Sequence, residues 1–353
     1  MVVDETKLNE FIGKVVGDMG GGIGALLAFI GDRLGLYRAM AGAGAMTSEA
    51  LAHKTGTNPR MIKEWLASQA AGGYVTYDAR TDTYTLPEEQ AMALAQEGGP
   101  AFMQGGFQIL VSLFKDEQKI TEAVKTGRGL SWGDHEKCLF EGTERFFRPA
   151  YNENLVKNWI PALDGVEAKL KRGGAKMADV GCGHGASTIL LAKAYPNSRF
   201  YGFDYHGPSI EHARQQAEKE GVADRVTFQV ARSTDFEGDD YDVVAFFDCL
   251  HDMVDPHGAA AHTYRALKKK DGTMLIVEPY AGDRLEDNLH PLGRLFYSAS
   301  TTICVPASLA QGGPGLGAQA GEKRIREVVE KGGFTRFRLA TKTPVNAVYE
   351  ARV

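Results

Sequence analysis

The 353-residue sequence contains only four cysteines, and they are far apart along the chain: Cys138, Cys182, Cys249 and Cys304. It has no CxxC pair and no cysteine–histidine spacing typical of zinc sites, so we expect neither a disulfide framework nor a metal. Cys182 and Cys304 have no adjacent base in sequence, so no cysteine nucleophile is predicted. This pattern favours a reducing, cytoplasmic compartment.

Long apolar runs and a strong charge excess are also lacking. The longest apolar stretch near the N-terminus, residues 19–31, has 13 residues and includes three consecutive glycines. It is shorter than the ~20 residues that span a bilayer, so no membrane association is expected. Lys7 and Lys14 alternate with acids and no small-residue cleavage site follows, so a signal peptide is not expected either. With 40 Lys and Arg against 45 Asp and Glu, the net charge of −5 does not favour a nucleic-acid binder.

Residues 1–98 have the pattern of a winged helix-turn-helix domain. Apolar residues at helical spacing predict a helical region over residues 5–42. Thr47 and Asn58 are in positions to cap two shorter helices. Two alternating stretches around a polar turn then predict a β-hairpin at 74–86.

The charge of this domain argues against DNA binding. Residues 1–98 hold 8 Lys and Arg against 12 Asp and Glu. The predicted recognition helix carries Arg60 and Lys63 but also Glu64, and the wing offers Arg80 between two aspartates. We therefore interpret the winged helix as a packing and homodimerisation domain. A winged-helix transcription regulator that senses a cofactor or metabolite is the alternative.

Residues 99–172 are predicted to be mostly helical, with glycine breaks at 105–106, 127–129 and 173–174. They are rich in large apolar and aromatic side chains. Two interpretations stay open: a connector whose aromatic residues fill a core, or a lid whose aromatic residues wall a pocket in the next domain.

Residues 173–353 alternate between strand and helix patterns, which predicts an α/β fold with a parallel sheet. Two alternating stretches near the C-terminus are joined by a short turn and predict an antiparallel hairpin. The predicted strands are 176–180, 199–204, 226–230, 241–247, 273–278, 335–340 and 346–352.

A glycine-rich loop follows the first of these strands. Its glycines are Gly181, Gly183 and Gly185, and such a loop allows a tight turn and close approach of a ligand to the backbone. Asp179 precedes the loop, where its carboxylate can meet a cationic ammonium. Asp204 ends the second strand, where an acid can hold ribose hydroxyls. A nicotinamide-dependent oxidoreductase is a third hypothesis, disfavoured by Asp179, the late position of the loop and the terminal hairpin.

This loop and the following acid resemble motif I and the ribose-binding acid of class I S-adenosylmethionine-dependent methyltransferases. The resemblance implies a Rossmann-like seven-stranded sheet with a C-terminal antiparallel hairpin, and S-adenosylmethionine as cofactor. It implies that the glycine loop lies against the methionine part and Tyr205 beside the adenine. Ser233 follows the third strand, where the family usually reaches the adenine, and Asp248 after the fourth strand is a further candidate for a cofactor contact.

The segment Leu250-His251-Asp252, followed by Asp255, resembles small-molecule O-methyltransferases that carry an N-terminal winged-helix dimerisation domain. The resemblance implies that His251 is the general base and that Glu278 orients it. Met253 stands where the family has Trp. The second acid expected before the last helix is replaced by Gln319, unless Glu322 takes its place.

These observations predict methyl transfer to a small acceptor. The long segment 280–320 is rich in apolar residues and, as an insertion after a strand, is expected to build an apolar or aromatic acceptor pocket. A histidine of near-neutral pKa is suited to removing the proton of a hydroxyl acceptor. The sequence leaves open whether oxygen, nitrogen or carbon is methylated.

Overall fold

The computed structural model describes residues 3–353, which form two compact units. The first unit comprises the described residues up to Phe114 together with Lys137–Pro149, and the second comprises Lys115–Glu136 and Ala150–Val353. The segment 99–172, predicted as one connector or lid, contributes to both units. The division into domains 1–98, 99–172 and 173–353 stays a prediction.

The first unit contains the predicted winged helix. Along the chain, its N-terminal part consists of helices α1 (Glu5–Arg33), α2 (Leu36–Met40), α3 (Ser48–Thr55) and α4 (Pro59–Ala71), then the antiparallel wing strands β1 (Thr76–Asp78) and β2 (Thr83–Thr85). Helices α5 (Glu88–Leu94) and α6 (Gln104–Lys115) follow. The caps are as predicted: Thr47 Oγ1 accepts from the Ala50 amide at 3.2 Å, and Asn58 Oδ1 accepts from the Arg60 amide at 3.0 Å.

The predicted glycine break at 105–106 is wrong, because both residues lie inside α6. A Cβ on Gly105 would lie 2.3 Å from the backbone nitrogen of Phe146, in helix α8 (Cys138–Asn154). Glycine is used here for close helix packing and not for a turn. The breaks at 127–129 and 173–174 are confirmed, since α7 (Glu117–Thr126) ends at Gly127 and α9 (Val166–Arg172) ends at Gly173.

A network of charged and polar side chains centred on the buried Arg145 and Asp32 connects helices of the first unit, while its outer members Arg38 and Glu97 are 50% and 42% exposed. The Arg145 guanidinium donates to Asp32 Oδ2 at 2.9 Å, Glu97 Oε1 at 3.0 Å and Gln108 Oε1 at 2.8 Å. Arg38 donates to the other oxygen of Asp32 at 3.3 Å. Two cations thus pair with two carboxylates, so the ion pairs are balanced in charge, and Gln108 Nε2 donates onward to the exposed Glu141 at 2.9 Å. We call Arg145, Asp32, Glu97, Gln108 and Arg38 the Arg145 network.

The second unit contains the predicted seven-stranded sheet. Its strands are β3 (Lys176–Val180), β4 (Arg199–Asp204), β5 (Val226–Val230), β6 (Val243–Phe247), β7 (Thr273–Pro279), β8 (Arg336–Lys342) and β9 (Asn346–Arg352), in the spatial order β5-β4-β3-β6-β7-β9-β8. All neighbours are parallel except β9, which pairs antiparallel with both β7 and β8. The helices between strands are α10 (Ala186–Ala194), α11 (Gly207–Lys219), α12 (Pro256–Ala266) and, after the insertion, α15 (Gly321–Lys331). The predicted fold class is confirmed.

The topology identifies one edge of this sheet as the place for a ligand. The strand order reverses between β3 and β6, which is the switch point of an open α/β sheet. The carboxyl ends of β3, β4, β6 and β7 meet at this edge. The insertion 280–320 after β7 contains α13 (Pro291–Ala299), a π-helical turn (Ser300–Cys304) and α14 (Val305–Ala310).

Candidate active site

The glycine loop lies between β3 and α10, as predicted, and its three glycines have different roles. A Cβ on Gly181 would lie 2.7 Å from Cys249 Sγ, and one on Gly185 would lie 2.6 Å from the Phe228 ring. Gly183 has a φ of 51° and no described atom within 4 Å of a Cβ built on it. The first and third glycines are therefore required by packing, whereas Gly183 exposes backbone that a ligand can approach.

Asp179 is buried, 1% exposed, and has an unused oxygen. Ser187 and Thr188 each donate a hydroxyl hydrogen bond to Asp179 Oδ2 at 2.6 Å. Its Oδ1 accepts no hydrogen bond from any described residue. Burial, joined by the charge of Asp204, raises the pKa of Asp179 to about 6. A buried carboxylate oxygen without a donor is costly, and a cationic or hydrogen-bond-donating ligand would satisfy it.

Asp204 joins the glycine loop to the second strand. Its Oδ2 accepts from the Gly183 amide at 3.0 Å, and its Oδ1 accepts from the His206 amide at 2.8 Å. Burial raises the pKa of Asp204 despite these two hydrogen bonds. The next residue, Tyr205, is 44% exposed beside this carboxylate. Ser233 is half-buried in the turn that follows β5.

Asp248 follows β6 in a left-handed conformation with a φ of 52°, uncommon for a residue other than glycine. Its Oδ1 accepts from Asn346 Nδ2 at 2.9 Å, and its buried Oδ2 has no partner among the described residues. Burial and the neighbouring charge of Glu278 raise the pKa of Asp248 well above its usual range. Strain and a strongly shifted pKa at one residue are typical of functional sites.

His251 and Glu278 come together from the ends of neighbouring strands. His251 lies in a 3₁₀ turn after β6, Glu278 lies near the end of β7, and His251 Nδ1 forms a hydrogen bond with Glu278 Oε2. Both side chains are 4% exposed. Burial alone would lower the pKa of His251, but the charges and hydrogen bonds of Glu278 and Cys304 outweigh it and raise that pKa well above its usual range.

Acids are in excess at this edge of the sheet. Asp252 is the fifth carboxyl group here, and burial together with Glu278 and Asp204 raises its pKa to about 7. The five are Asp179, Asp204, Asp248, Asp252 and Glu278. Such a set favours a ligand that carries positive charge.

One residue at this site was missed by sequence reasoning. Cys304 Sγ lies 3.3 Å from His251 Nε2, the ring nitrogen that Glu278 leaves available. The two residues are 53 positions apart, so no local pattern connects them. Glu322, the candidate for the expected second acid, forms an ion pair with Arg326 at 2.7 Å. Gln319 is half-buried and donates to the Ala318 carbonyl at 3.2 Å.

Comparison with known protein families agrees with both parts of this structure. Residues 171–333 match a family model described as a methyltransferase domain, and residues 22–96 match an Rv2258c-like winged HTH domain. The chain therefore combines a winged helix-turn-helix domain with a methyltransferase domain of the class I fold.

Solved structures with this fold cover nearly the whole chain. The mitomycin 7-O-methyltransferase MmcR has a TM-score of 0.70 at 20% identity, over 99% of this chain and 100% of that one. The human N-acetylserotonin methyltransferase in complex with SAM has a TM-score of 0.67 at 19% identity, over 97% of both chains. PigF with SAH has a TM-score of 0.71 at 14% identity, over 100% of both chains. These similarities establish the shared fold.

Curated relatives are matched over shorter stretches. The 27-O-demethylrifamycin SV methyltransferase of Amycolatopsis mediterranei is 31% identical over 157 residues, which is 43% of this chain and 52% of that protein. The cobalt-precorrin-6B C(15)-methyltransferase (decarboxylating) of Pyrobaculum calidifontis is 33% identical over 84 residues, 24% of this chain and 43% of that protein. The match thus spans about half, or less, of the length of these relatives.

Proposed function

We propose that this protein transfers a methyl group from S-adenosylmethionine to a hydroxyl of a small, apolar or aromatic acceptor, with His251 as general base. The observation that carries the proposal is the buried pair of His251 and Glu278 at the carboxyl ends of β6 and β7. A histidine tied at Nδ1 to a carboxylate presents Nε2 to a substrate, which is the arrangement of an oriented base.

The residues at the sheet edge fit the cofactor. The unused Oδ1 of Asp179 would take its ammonium, the open backbone at Gly183 would lie against its methionine part, and Asp204 would accept from its ribose hydroxyls. Gly181 and Gly185 would shape this loop, Tyr205 and Ser233 would border the adenine, and Asp248 would complete the acidic surroundings. When bound, S-adenosylmethionine supplies a methyl group on a positively charged sulfur.

The chain itself has to position the acceptor and remove its proton. Glu278 holds the ring of His251 and offsets the charge that the ring gains when Nε2 accepts the proton of the acceptor hydroxyl. Phe296 and Ile303, on α13 and the π-helical turn, are buried apolar residues of the insertion that follows Glu278 in the chain. The names of the mitomycin and rifamycin relatives describe O-methylation, which also favours a hydroxyl acceptor.

The winged helix is proposed to serve in a homodimer and not in DNA binding. Its candidate phosphate-binding cations are engaged with acids: Arg60 with Glu64 at 2.6 Å, Lys63 with Asp82 at 3.8 Å and Arg80 with Asp78 at 3.3 Å. Helix α1 instead exposes large apolar side chains, including Phe11, Val16, Met19 and Ile23, each between 61% and 64% exposed. Such a surface is typical of a protein–protein interface.

Helix α1 is also long and apolar enough, by length and composition, to cross a membrane, although the uninterrupted apolar stretch in the sequence is short. One such helix is weak evidence for a span, and the acidic Glu5, Glu10 and Asp18 lie along it. We propose a cytoplasmic protein, supported by four cysteines that form no disulfide.

The proposed homodimer is tested by light scattering of the full chain and of Phe11→Glu. We expect the wild type to be a dimer and the variant to be a monomer. A monomeric wild type would contradict the proposal.

Activity is tested by incubating the full chain with methyl-labelled S-adenosylmethionine and a panel of phenols, beside His251→Gln. We expect labelled methyl ether from at least one phenol with wild type and strongly reduced product with the variant. Product formed equally well by the variant would contradict the role of His251. Salt-sensitive binding to duplex DNA, together with no binding of S-adenosylhomocysteine, would instead favour the regulator.

A further inference from the structure

The thiol of Cys304 is in contact with a base that a carboxylate orients. Cys304 Sγ lies 3.3 Å from His251 Nε2, and His251 Nδ1 is hydrogen-bonded to Glu278 Oε2. A nucleophile, a base and a third group that orients the base form the arrangement by which proteins activate weak nucleophiles. Proton transfer from sulfur to Nε2 is therefore built into the geometry.

The other cysteines of the second unit have different surroundings. Cys249 Sγ donates to the Val180 carbonyl at 3.2 Å, and Cys182 Sγ lies 3.9 Å from the Gly183 carbonyl. A carbonyl oxygen keeps the proton on sulfur, and burial raises the pKa of both thiols well above the usual range. Among the three cysteines of the second unit, Cys304 is the one whose described contact is with a ring nitrogen that can accept its proton.

The position of Cys304 in the chain also indicates function. It ends the π-helical turn Ser300–Cys304, and such turns inside helices are frequent at functional sites. The carboxyl groups of Asp248, Asp252 and Glu278 interact with each other and with His251. A further anion placed among these buried carboxyl groups is unfavourable, which disfavours anionic reagents at this thiol.

We propose that Cys304, His251 and Glu278 form a nucleophilic thiol site that takes small, uncharged carbon electrophiles such as enones. Sulfur attacks the β-carbon, so that an S–C bond forms as the C=C π bond breaks. The proton of the thiol passes through His251 Nε2 to the α-carbon, and nothing is oxidised or reduced. The adduct covers His251 Nε2, which accepts a proton in the proposed methyl transfer, so modification of Cys304 should also abolish that transfer. This second consequence rests on the proposed function. The reaction of the thiol itself does not.

The test is alkylation of the full chain with iodoacetamide, followed at each cysteine by peptide mass spectrometry. In this reaction the C–I bond breaks, iodide leaves and the proton goes to His251. Cys138, which is half-buried, is the internal reference for Cys304, which is 8% exposed. Access alone predicts faster reaction at Cys138. We expect Cys304 to react at least about tenfold faster, as activated thiols do.

Two further comparisons test the origin of this reactivity. His251→Gln and Glu278→Gln, with folding checked by circular dichroism, should each slow the reaction of Cys304 about tenfold and leave Cys138 unchanged. The ratio of the iodoacetamide rate to the rate with anionic iodoacetate should be larger at Cys304 than at Cys138.

Reaction of Cys304 no faster than that of Cys138 would overturn the proposal, and this comparison needs no variant. Unchanged rates at Cys304 in both folded variants would overturn it as well, as would an equal preference for the two reagents at both cysteines. Calorimetric titration with S-adenosylhomocysteine tests the cofactor separately, because that binding depends on Asp179 and Asp204 and not on the thiol.

Discussion

Each unit of the protein contains a cluster of charged side chains centred on buried groups, and the two clusters differ in the balance of positive and negative charge. In the Arg145 network, Arg145 and Arg38 face Asp32 and Glu97, and Gln108 completes the hydrogen bonds. At the sheet edge of the second unit, five carboxyl groups come together; Asp248, Asp252 and Glu278 interact with His251, and Asp204 interacts with His184 and His206. Three of their oxygens, Asp179 Oδ1, Asp248 Oδ2 and Glu278 Oε1, have no partner among the described residues.

The difference indicates what each cluster does. A buried cluster whose charges and hydrogen bonds are satisfied within the chain contributes to folding specificity and needs no ligand. A buried cluster with surplus acids and unused oxygens is unfavourable by itself, and a cationic ligand would relieve it. We therefore propose a structural role for the first cluster and a binding role for the second.

The largest effect is expected at the base. His251→Gln should lower kcat for a phenol acceptor about 10²–10⁴-fold, the usual contribution of a general acid–base group. S-adenosylhomocysteine affinity should change little, because His251 is not among the residues proposed to hold the cofactor. In wild type, protonation blocks the base, so kcat should fall as pH decreases through the raised pKa of His251. A pH-independent kcat in wild type would argue against this base.

Breaking the balanced cluster should unfold the protein more readily without a specific effect on binding. Arg145→Met leaves Asp32 without its buried cation and should lower the free energy of unfolding by about 3–5 kcal/mol. Arg148→Met, in the same helix, is the matched control, since the Arg148 side chain is 36% exposed and its loss should remove less than about 1 kcal/mol. Urea unfolding of both variants measures the difference, and equal losses would remove the distinction between the clusters.

Substitution of Asp204, the acid proposed to bind the ribose, should have a smaller effect, measured as cofactor affinity. Asp204→Asn removes a charged hydrogen-bond acceptor and should weaken S-adenosylhomocysteine binding about 10- to 100-fold. Asp224→Asn is the control, because Asp224 has a side chain that is 73% exposed and pairs with Arg225. Calorimetry measures the affinity of both variants for S-adenosylhomocysteine. Equal affinity in Asp204→Asn and wild type would exclude the proposed contact.

The smallest effect is expected where the surplus charge is removed without loss of shape. Asp248→Asn should leave the stability of the unliganded protein within about 1 kcal/mol or increase it, because the amide avoids the cost of ionising a buried carboxyl group. Thermal unfolding at pH 7 measures this change. Strong destabilisation would show that Asp248 belongs to a balanced network like that of Arg145.

Most of the fold followed from local sequence signals. The caps at Thr47 and Asn58 and the strand–helix alternation after residue 176 depend on near neighbours, and the structure confirms them. Gly105 was misread because glycine favours both turns and close helix packing, and only the position of Phe146 distinguishes the two.

Part of the candidate site could also be predicted from local sequence signals. Asp179, Asp204, His251 and Glu278 each follow or end a strand, so parallel topology brings them to one edge. Cys304 was not predictable, because its contact with His251 depends on the path of an insertion whose π-helical turn has no sequence signature.

The central claim is that the buried acids at the sheet edge hold the cofactor, with Asp179 taking the ammonium group that S-adenosylmethionine and S-adenosylhomocysteine share. It is tested most directly by calorimetric titration of S-adenosylhomocysteine between pH 5 and 8, with wild type, Asp179→Asn and NAD as control ligand. Burial raises the pKa of Asp179 to about 6, so in the free protein this carboxyl group loses its charge as pH falls below that value. We predict micromolar binding at pH 8 that weakens as pH falls through about 6, a weaker and flatter profile in Asp179→Asn, and no binding of NAD. Tight, pH-independent binding in both proteins, or no binding of S-adenosylhomocysteine at any pH, would contradict the claim.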